Sequence, residues 1–311
     1  MVGTGIVKAG LGIGLIVGLA AAAAAQGPTF RAASTFSLPG LTTDATSLLM
    51  VTDVGSPSPG TPDGIPDVVT AGQSQVAAVL FGCNPDAPGA SCDPGDLVTG
   101  PNTRLGRIPT ALTLGEFNDT AGIELLIADT GNSVLCFRGF ADGPPFERQG
   151  DATTVGDNPV AFATYDFNDD DRSDVAVLHQ PAQGPGEIWI LYADGDCTFS
   201  PPPFPRQATV TTGNGSSAIV VGDFNDDGAP DFAVTNASGN DVSIIHGDAD
   251  GSFDEVQRID VATRPGGGSE IVEPVGVRAG LFDGDDRLDL VVVNRNADEV
   301  AIMIGRDDGT F

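Results

Sequence analysis

Residues 223–234 read DFNDDGAPDFAV, and this pattern returns as DFNDDDRSDVAV from Asp166, EFNDTAGIELLI from Glu116 and LFDGDDRLDLVV from Leu281. A fifth copy, VTDVGSPSPGTPDGIPDVV, fits once about six residues are inserted between Asp53 and Asp63. The closing acids fall at Asp67, Glu124, Asp174, Asp231 and Asp289, spaced by 57, 50, 57 and 58 residues. A second marker keeps the same phase. GDADGSF at 247–253 returns as GRDDGTF at 305–311, again 58 residues on, and ADGDCTF at 193–199 is a looser copy. Two independent markers holding one period identify an internal repeat.

Each repeat reads as a set of short strands. An apolar run follows every acidic loop (Phe232-Ala233-Val234; Leu290-Val291-Val292-Val293). A small-polar turn such as Ala237-Ser238-Gly239-Asn240 leads to alternating residues, Val242 and Ile244 or Val300, Ile302 and Ile304. Four short antiparallel strands per period, bounded by Gly, Asp and Asn turns, make an all-β chain and the blade of a β-propeller. A helical solenoid is excluded because no 3.6-residue apolar period lies between the turns. The period is too long for β-helix repeats. About five blades are expected, near 46–103, 104–157, 158–212, 213–271 and 272–311. A preceding segment, 26–45, includes PTFRAASTFSLPG from Pro28, which could supply an outer strand to the last blade.

The composition sends the search for function to the aspartates. The 311 residues hold 14 Lys+Arg against 43 Asp+Glu, a formal charge of −29, with 35 Asp, 8 Glu and 2 His. Such a charge repels the nucleic-acid backbone and anionic lipid headgroups, so neither is an expected partner. Two histidines leave little room for a His-rich zinc site. Residues 1–25, MVGTGIVKAGLGIGLIVGLAAAAAA, have the layout of a signal peptide: one cation at Lys8, an apolar run and a small-residue close. A secreted or cell-surface protein with no membrane anchor after processing is expected.

Export permits disulfides. Cys83 and Cys92 flank a Pro/Gly-rich loop and are candidates for a local bridge. Cys136 and Cys197 could pair across neighbouring repeats or both remain buried thiols. No C-x-x-C occurs, so neither a redox motif nor a cysteine zinc knuckle is supported.

Acids at alternate positions of a tight loop are the chemistry of a hard cation. Calcium takes six to eight oxygen ligands from carboxylates, carbonyls and water. Positions 1, 3 and 5 can converge on one centre, position 7 offers a carbonyl and an acid at position 9 closes the cage. Asp223, Asn225, Asp227 and Asp231 fit in full, with Gly228 at the turn. Asp166, Asn168, Asp170 and Asp174 fit equally, with Asp171 in place of the glycine. The loop from Leu281 lacks its first ligand but keeps Asp283, Asp285 and Asp289. Glu116, Asn118 and Glu124 are interrupted by Thr120 and Ala121, and the first loop offers Asp53, Asp63 and Asp67. Asx-turn formation is the competing use of any one loop. An EF-hand is excluded, because position 12 is Val177, Val234 or Val292 rather than a bidentate Glu.

This repeated D-x-[DN]-x-D-G-x-x-D loop before an apolar strand resembles the FG-GAP/VCBS repeat family over roughly residues 46–311. That family builds integrin-α-like propellers and many secreted bacterial proteins. The resemblance implies calcium in the loop between the first two strands of each blade. Family members usually have six to eight blades, so a chain truncated from a larger propeller is as consistent as a complete one.

Several further residues invite comment. Phe117, Phe167, Phe224 and Phe282, second in each loop, are expected to pack between a loop and the neighbouring blade. Trp189 and Tyr192 are expected in the inter-blade core, and His179 and His246 in solvent. The favoured function is a non-catalytic module for adhesion or for recognition of an extracellular protein or glycan, with calcium structural. The alternatives are a polysaccharide lyase or hydrolase built on a calcium propeller and a structural surface-layer repeat. No G-x-S-x-G, H-E-x-x-H or P-loop supports an enzyme.

Overall fold

The computed structural model describes residues 48–52, 65, 67–82, 97–119, 123–137, 147–201, 209–254, 256–261 and 271–311. Every regular element among them is a β-strand, and the strands form five antiparallel sheets, the blades of a β-propeller. The chain divides into two compact units, with the first sheet in one and the other four in the second.

In the first unit β1 (Leu48–Thr52), β2 (Asp67–Gly72), β3 (Val76–Gly82) and β4 (Leu97–Arg104) pair in chain order. The second unit repeats the plan. Its first sheet is β5 (Pro109–Gly115), β6 (Glu124–Asp129), β7 (Ser133–Phe137) and β8 (Arg148–Thr154). The next holds β9 (Pro159–Tyr165), β10 (Asp174–His179) and β11 (Pro185–Ala193), with both the short β12 (Phe199–Ser200) and β13 (Thr209–Asn214) pairing β11. Then come β14 (Ser216–Gly222), β15 (Asp231–Asn236), β16 (Asp241–Ile245) and β17 (Gln257–Asp260). The last sheet is β18 (Pro274–Gly280), β19 (Asp289–Asn294) and β20 (Glu299–Met303), three strands among the described residues. The segment from Pro28 expected to add a strand there lies outside the described residues, as do the signal-like residues 1–25.

The order of the blades follows from strand periodicity. Successive side chains of a strand point to opposite faces, so a strand between two neighbouring sheets is apolar on both faces through its centre, with polar residues kept to its ends. In β10, Val175 and Val177 join a core with Leu126, Ala128 and Val134 of the preceding sheet. Ala176 and Leu178 of the same strand join Phe232, Val234 and Ile245 of the following one. β15 divides its residues likewise, sending Ala233 towards Val277, Leu290 and Val292 of the last sheet. β6, β10 and β15 are therefore buried at all six positions. The innermost strands β9, β14 and β18 touch in succession. In the last sheet the outer face of the pattern is exposed, at Val293, Val300 and Ile302.

Candidate functional site

Each acidic loop joins the first strand of a sheet to the second. In the Asp223 loop one Asp223 oxygen accepts the Asp227 amide at 3.2 Å and the other accepts the Gly228 amide at 2.9 Å. Asn225 Oδ1 accepts the Asp227 amide at 3.2 Å, and its Nδ2 donates to Asp227 Oδ2 at 2.8 Å. Gly228 takes the positive φ of 87° that closes the turn. The Asp166 loop repeats this scheme. Asp166 accepts the amides of Asp170 and Asp171 at 3.1 and 2.8 Å, and Asn168 Nδ2 donates to Asp170 Oδ2 at 3.1 Å. Asp171 stands where Asp223's loop has glycine and tolerates a φ of 67°.

The closing acids have a function that spacing alone did not reveal. Asp174, Asp231 and Asp289 are fully buried, and each ties two distant amides together. One oxygen accepts the amide of the second loop residue: Phe167 at 3.0 Å, Phe224 at 2.7 Å and Phe282 at 2.7 Å. The other accepts an amide at the end of the third strand: Ala193 at 2.8 Å, Gly247 at 2.9 Å and Gly305 at 2.9 Å. Glu124 likewise accepts the Phe117 amide at 2.9 Å and Asp67 the Gly82 amide at 2.8 Å. The carboxylates thus clip loop to sheet, satisfying amides that would otherwise be buried without partners. A carboxylate oxygen has a second lone pair, so the clip leaves acceptor capacity on the loop side.

Charge around the clips differs from blade to blade. Burial pushes Asp174 up to about 7 against its amide bonds, helped by the nearby Asp170 and Asp166 charges. Burial also raises Glu124 to about 7. Asp289 is instead held below the usual carboxylate range, chiefly by the Gly305 and Phe282 amides. His246 Nδ1 lies 3.2 Å from Asp231 Oδ2, and that carboxylate raises the histidine pKa. Arginines enter two loops at position 7. Arg172 donates to Asp170 at 2.7 Å, to Asp119 of the preceding blade's loop at 3.1 Å and to the Ala193 carbonyl at 3.3 Å. Arg287 pairs with Asp285, with Asp307 at 2.7 Å and with the Gly305 carbonyl at 3.4 Å.

The donors of the Asp166 and Asp223 loops fit calcium in kind, being all oxygen and rich in carboxylate. Burial is the main cause of the Asp174 shift, and the smaller contribution from the Asp170 and Asp166 charges is the part a divalent ion would relieve. Among the described residues no three His, Cys, Asp or Glu side chains converge as a ready-made metal cage. The first-position carboxylates accept loop amides instead. Asp283 accepts the Asp285 amide at 3.1 Å, a thinner version of the same loop. In the Glu116 loop Glu116, Asn118 and Glu124 are described while residues 120–122 are not. Asp53 and Asp63 lie outside the described residues, as do Cys83 and Cys92.

Other sequence expectations meet the structure unevenly. Cys136 of β7 and Cys197, in the turn after β11, form a disulfide with Cα atoms 5.7 Å apart, joining two blades. Phe117 and Phe224 are buried between blades as expected, whereas Phe167 is half-buried and Phe282 is 50% exposed. The placement of both histidines in solvent is corrected. His179 is 1% and His246 7% exposed. His179 packs at a tilt against half-buried Trp189, ring centroids 5.2 Å apart, and burial lowers its pKa to about 4. Gly156, in the link from the preceding blade, closes on both rings; a Cβ there would stand 3.2 Å from Trp189 and 3.3 Å from His179. His246 is covered by Gly309 of the last blade. The Gly156 and Gly309 contacts come from adjoining repeats, which a single repeat's sequence does not display.

Residues 166–234 match the FG-GAP-like repeat family. The match begins at the first position of one acidic loop and ends within the strand after the next. Comparison with curated proteins gives no match. Among solved structures, two crystal structures of BBS1N in complex with ARL6DN, one soaked with mercury and one with lead, share the fold with a TM-score of 0.50 each. They are 12% and 14% identical and cover 84% and 89% of this chain. The matched regions are 66% and 67% of those chains, so this chain spans about two thirds of their length. At that identity the likeness is one of fold alone.

Proposed function

We propose that this β-propeller, whose residues 166–234 match the FG-GAP-like repeat family, is an exported, non-catalytic recognition module whose inter-strand loops are fixed by calcium. The observation that carries this reading is the shared geometry of the Asp166 and Asp223 loops. Positions 1, 3 and 5 are drawn together in both by the same amide and side-chain hydrogen bonds. Asp223, Asn225 and Asp227, with the buried Asp231 behind them, would hold the ion; Asp166, Asn168, Asp170 and Asp174 would do so in the preceding blade. Bound calcium would supply positive charge, and the loop carboxylates, carbonyls and water would supply its oxygen ligands. The chain's own residues keep the loop shaped, through the closing carboxylates, and the blades rigid. The loops between blades would then be presented to an extracellular protein or glycan from a fixed frame. The signal-like residues 1–25 and the Cys136–Cys197 bridge both favour an oxidising, extracytoplasmic site.

Thermal melting in millimolar calcium and in chelator tests the proposal. An ion bound only by the folded state is expected to raise the midpoint by about 5–10 °C. Asp223→Ala should remove much of that rise while leaving the chelated protein folded. Equal midpoints in the two conditions would overturn the calcium reading.

A further inference from the structure

At two junctions between neighbouring blades of the second unit, the phenylalanine of an acidic loop meets the phenylalanine closing the next blade's turn. Phe117 stands edge-on to Phe199 with centroids 5.6 Å apart, and Phe224 to Phe311 at 5.7 Å. The junction between the Asp166 loop and residues 247–253 has the same two ring positions but a different arrangement. Phe167 packs on Tyr165 at 5.5 Å and on Phe232 at 5.7 Å, while Phe253 packs on Phe232 at 5.3 Å. A cavity of about 150 Å³ opens there, walled by Tyr165, Phe167, Tyr192 and Phe253.

Its chemistry is specific. Asp166, Asp169 and Asp248 line it, and none of its lining residues is basic. Asp166 is engaged by loop amides and Asp248 by the Ser252 hydroxyl, while Asp169 is exposed. Tyr165 is 42% exposed, unusual for a large ring at a blade junction. Ring faces carry a negative quadrupole and attract cations within about 6 Å. Carboxylates at the rim add to that attraction and repel anions.

We propose that this inter-blade cavity binds a small organic cation, an alkylammonium or guanidinium head, between the faces of its aromatic rings and the charges of Asp169 and Asp248. The site borders the proposed calcium loops and shares Asp166 with one of them, but it does not require the ion. The head belongs either to a free amine or to a Lys or Arg side chain of a partner polypeptide, since both present the same charge and shape.

NMR titration of the intact, isotope-labelled protein tests this, in chelator and again in calcium. The probes are tetramethylammonium chloride, N-acetyl-arginine amide and a Gly-Arg-Gly peptide, with sodium chloride and maltose as ionic and neutral references. The expected result is saturable shifts confined to residues 165–169, 228–230 and 247–253 with the organic cations. Tyr165→Ala should weaken binding about tenfold and Asp169→Asn about threefold, with Tyr165→Phe retaining most of it. Tighter binding of the peptide assigns the site to a basic side chain, and tighter binding of tetramethylammonium to a free amine. No shifts up to about 50 mM probe would overturn the proposal. So would equal shifts with sodium chloride, shifts with maltose in place of the cations, or indifference to Tyr165→Ala. Because the chelated arm is read alone, failure here leaves the melting test of calcium standing.

Discussion

The Asp166 and Asp223 loops share their first, third, fifth and ninth residues, yet they compensate their negative charge in different ways. In the Asp166 loop Arg172 lies on Asp170 and reaches Asp119 of the preceding blade. Its closing acid, Asp174, has no such partner and is pushed up to about 7 by burial. In the Asp223 loop position 7 is Ala229, and among the described residues no arginine pairs with its carboxylates. There the compensation sits behind the loop, where His246 lies against the closing Asp231. One blade neutralises the front of its loop with a permanent cation and the other neutralises the back with a titratable one. The lesson is that one repeat pattern leaves two loops with different appetites for an external ion.

Breaking the clip tests the comparison most severely. Asp231→Ala strands the Phe224 and Gly247 amides, and a loss of roughly 4 kcal/mol in urea unfolding is expected. Asp174→Ala should cost about 1 kcal/mol less, because no histidine is left facing an empty site. Equal losses would mean that His246 adds nothing to the clip. The second effect is covalent. Cys136→Ser with Cys197→Ser removes a link on the Arg172 side of the molecule, and a loss of about 3 kcal/mol is expected by the same unfolding measurement. The Asp223 loop should be unaffected, as its amide exchange rates would show.

Moving the arginine sharpens the contrast. Ala229→Arg should reduce calcium affinity of the Asp223 loop, and Arg172→Ala should increase that of the Asp166 loop, each about three- to tenfold by calorimetric titration. Unchanged affinities would mean that the arginine swings clear of the ion. The smallest effect is a slope with pH. Asp231 raises the His246 pKa above its unfolded value of about 6.5, so the stability it lends is complete below that pH and is lost as pH rises through the folded value. In chelator, His246→Gln should flatten the melting midpoint above pH 6.5; an unchanged slope would assign the dependence elsewhere.

Much of this architecture was written in the sequence because its signals are local. Every second strand begins at its closing acid, Asp67, Glu124, Asp174, Asp231 and Asp289, where the loop pattern ends. The apolar run after each acidic loop marked a strand, and the structure shows that β6, β10 and β15 are buried on both faces. The roles that stayed hidden depend on partners far along the chain. Asp231 finds the Gly247 amide 16 residues on, and Asp174 finds Ala193 19 residues on. No spacing rule within the loop marks these. The pairing of Cys136 with Cys197 was open for the same reason: it depends on which blade stands next to which.

Within the second unit the loop of one blade is covered by a turn of its successor. Asn118 contacts Cys197, 79 residues downstream, and Gly309 of the last blade covers His246 and Asn225 of the blade before. On the ribosome such a blade is therefore always waiting for the next one. At about 5–20 residues per second that delay is roughly 4–16 s. Through it, the carboxylate clips, whose partners lie 16 to 19 residues on in the same blade, can already be closed.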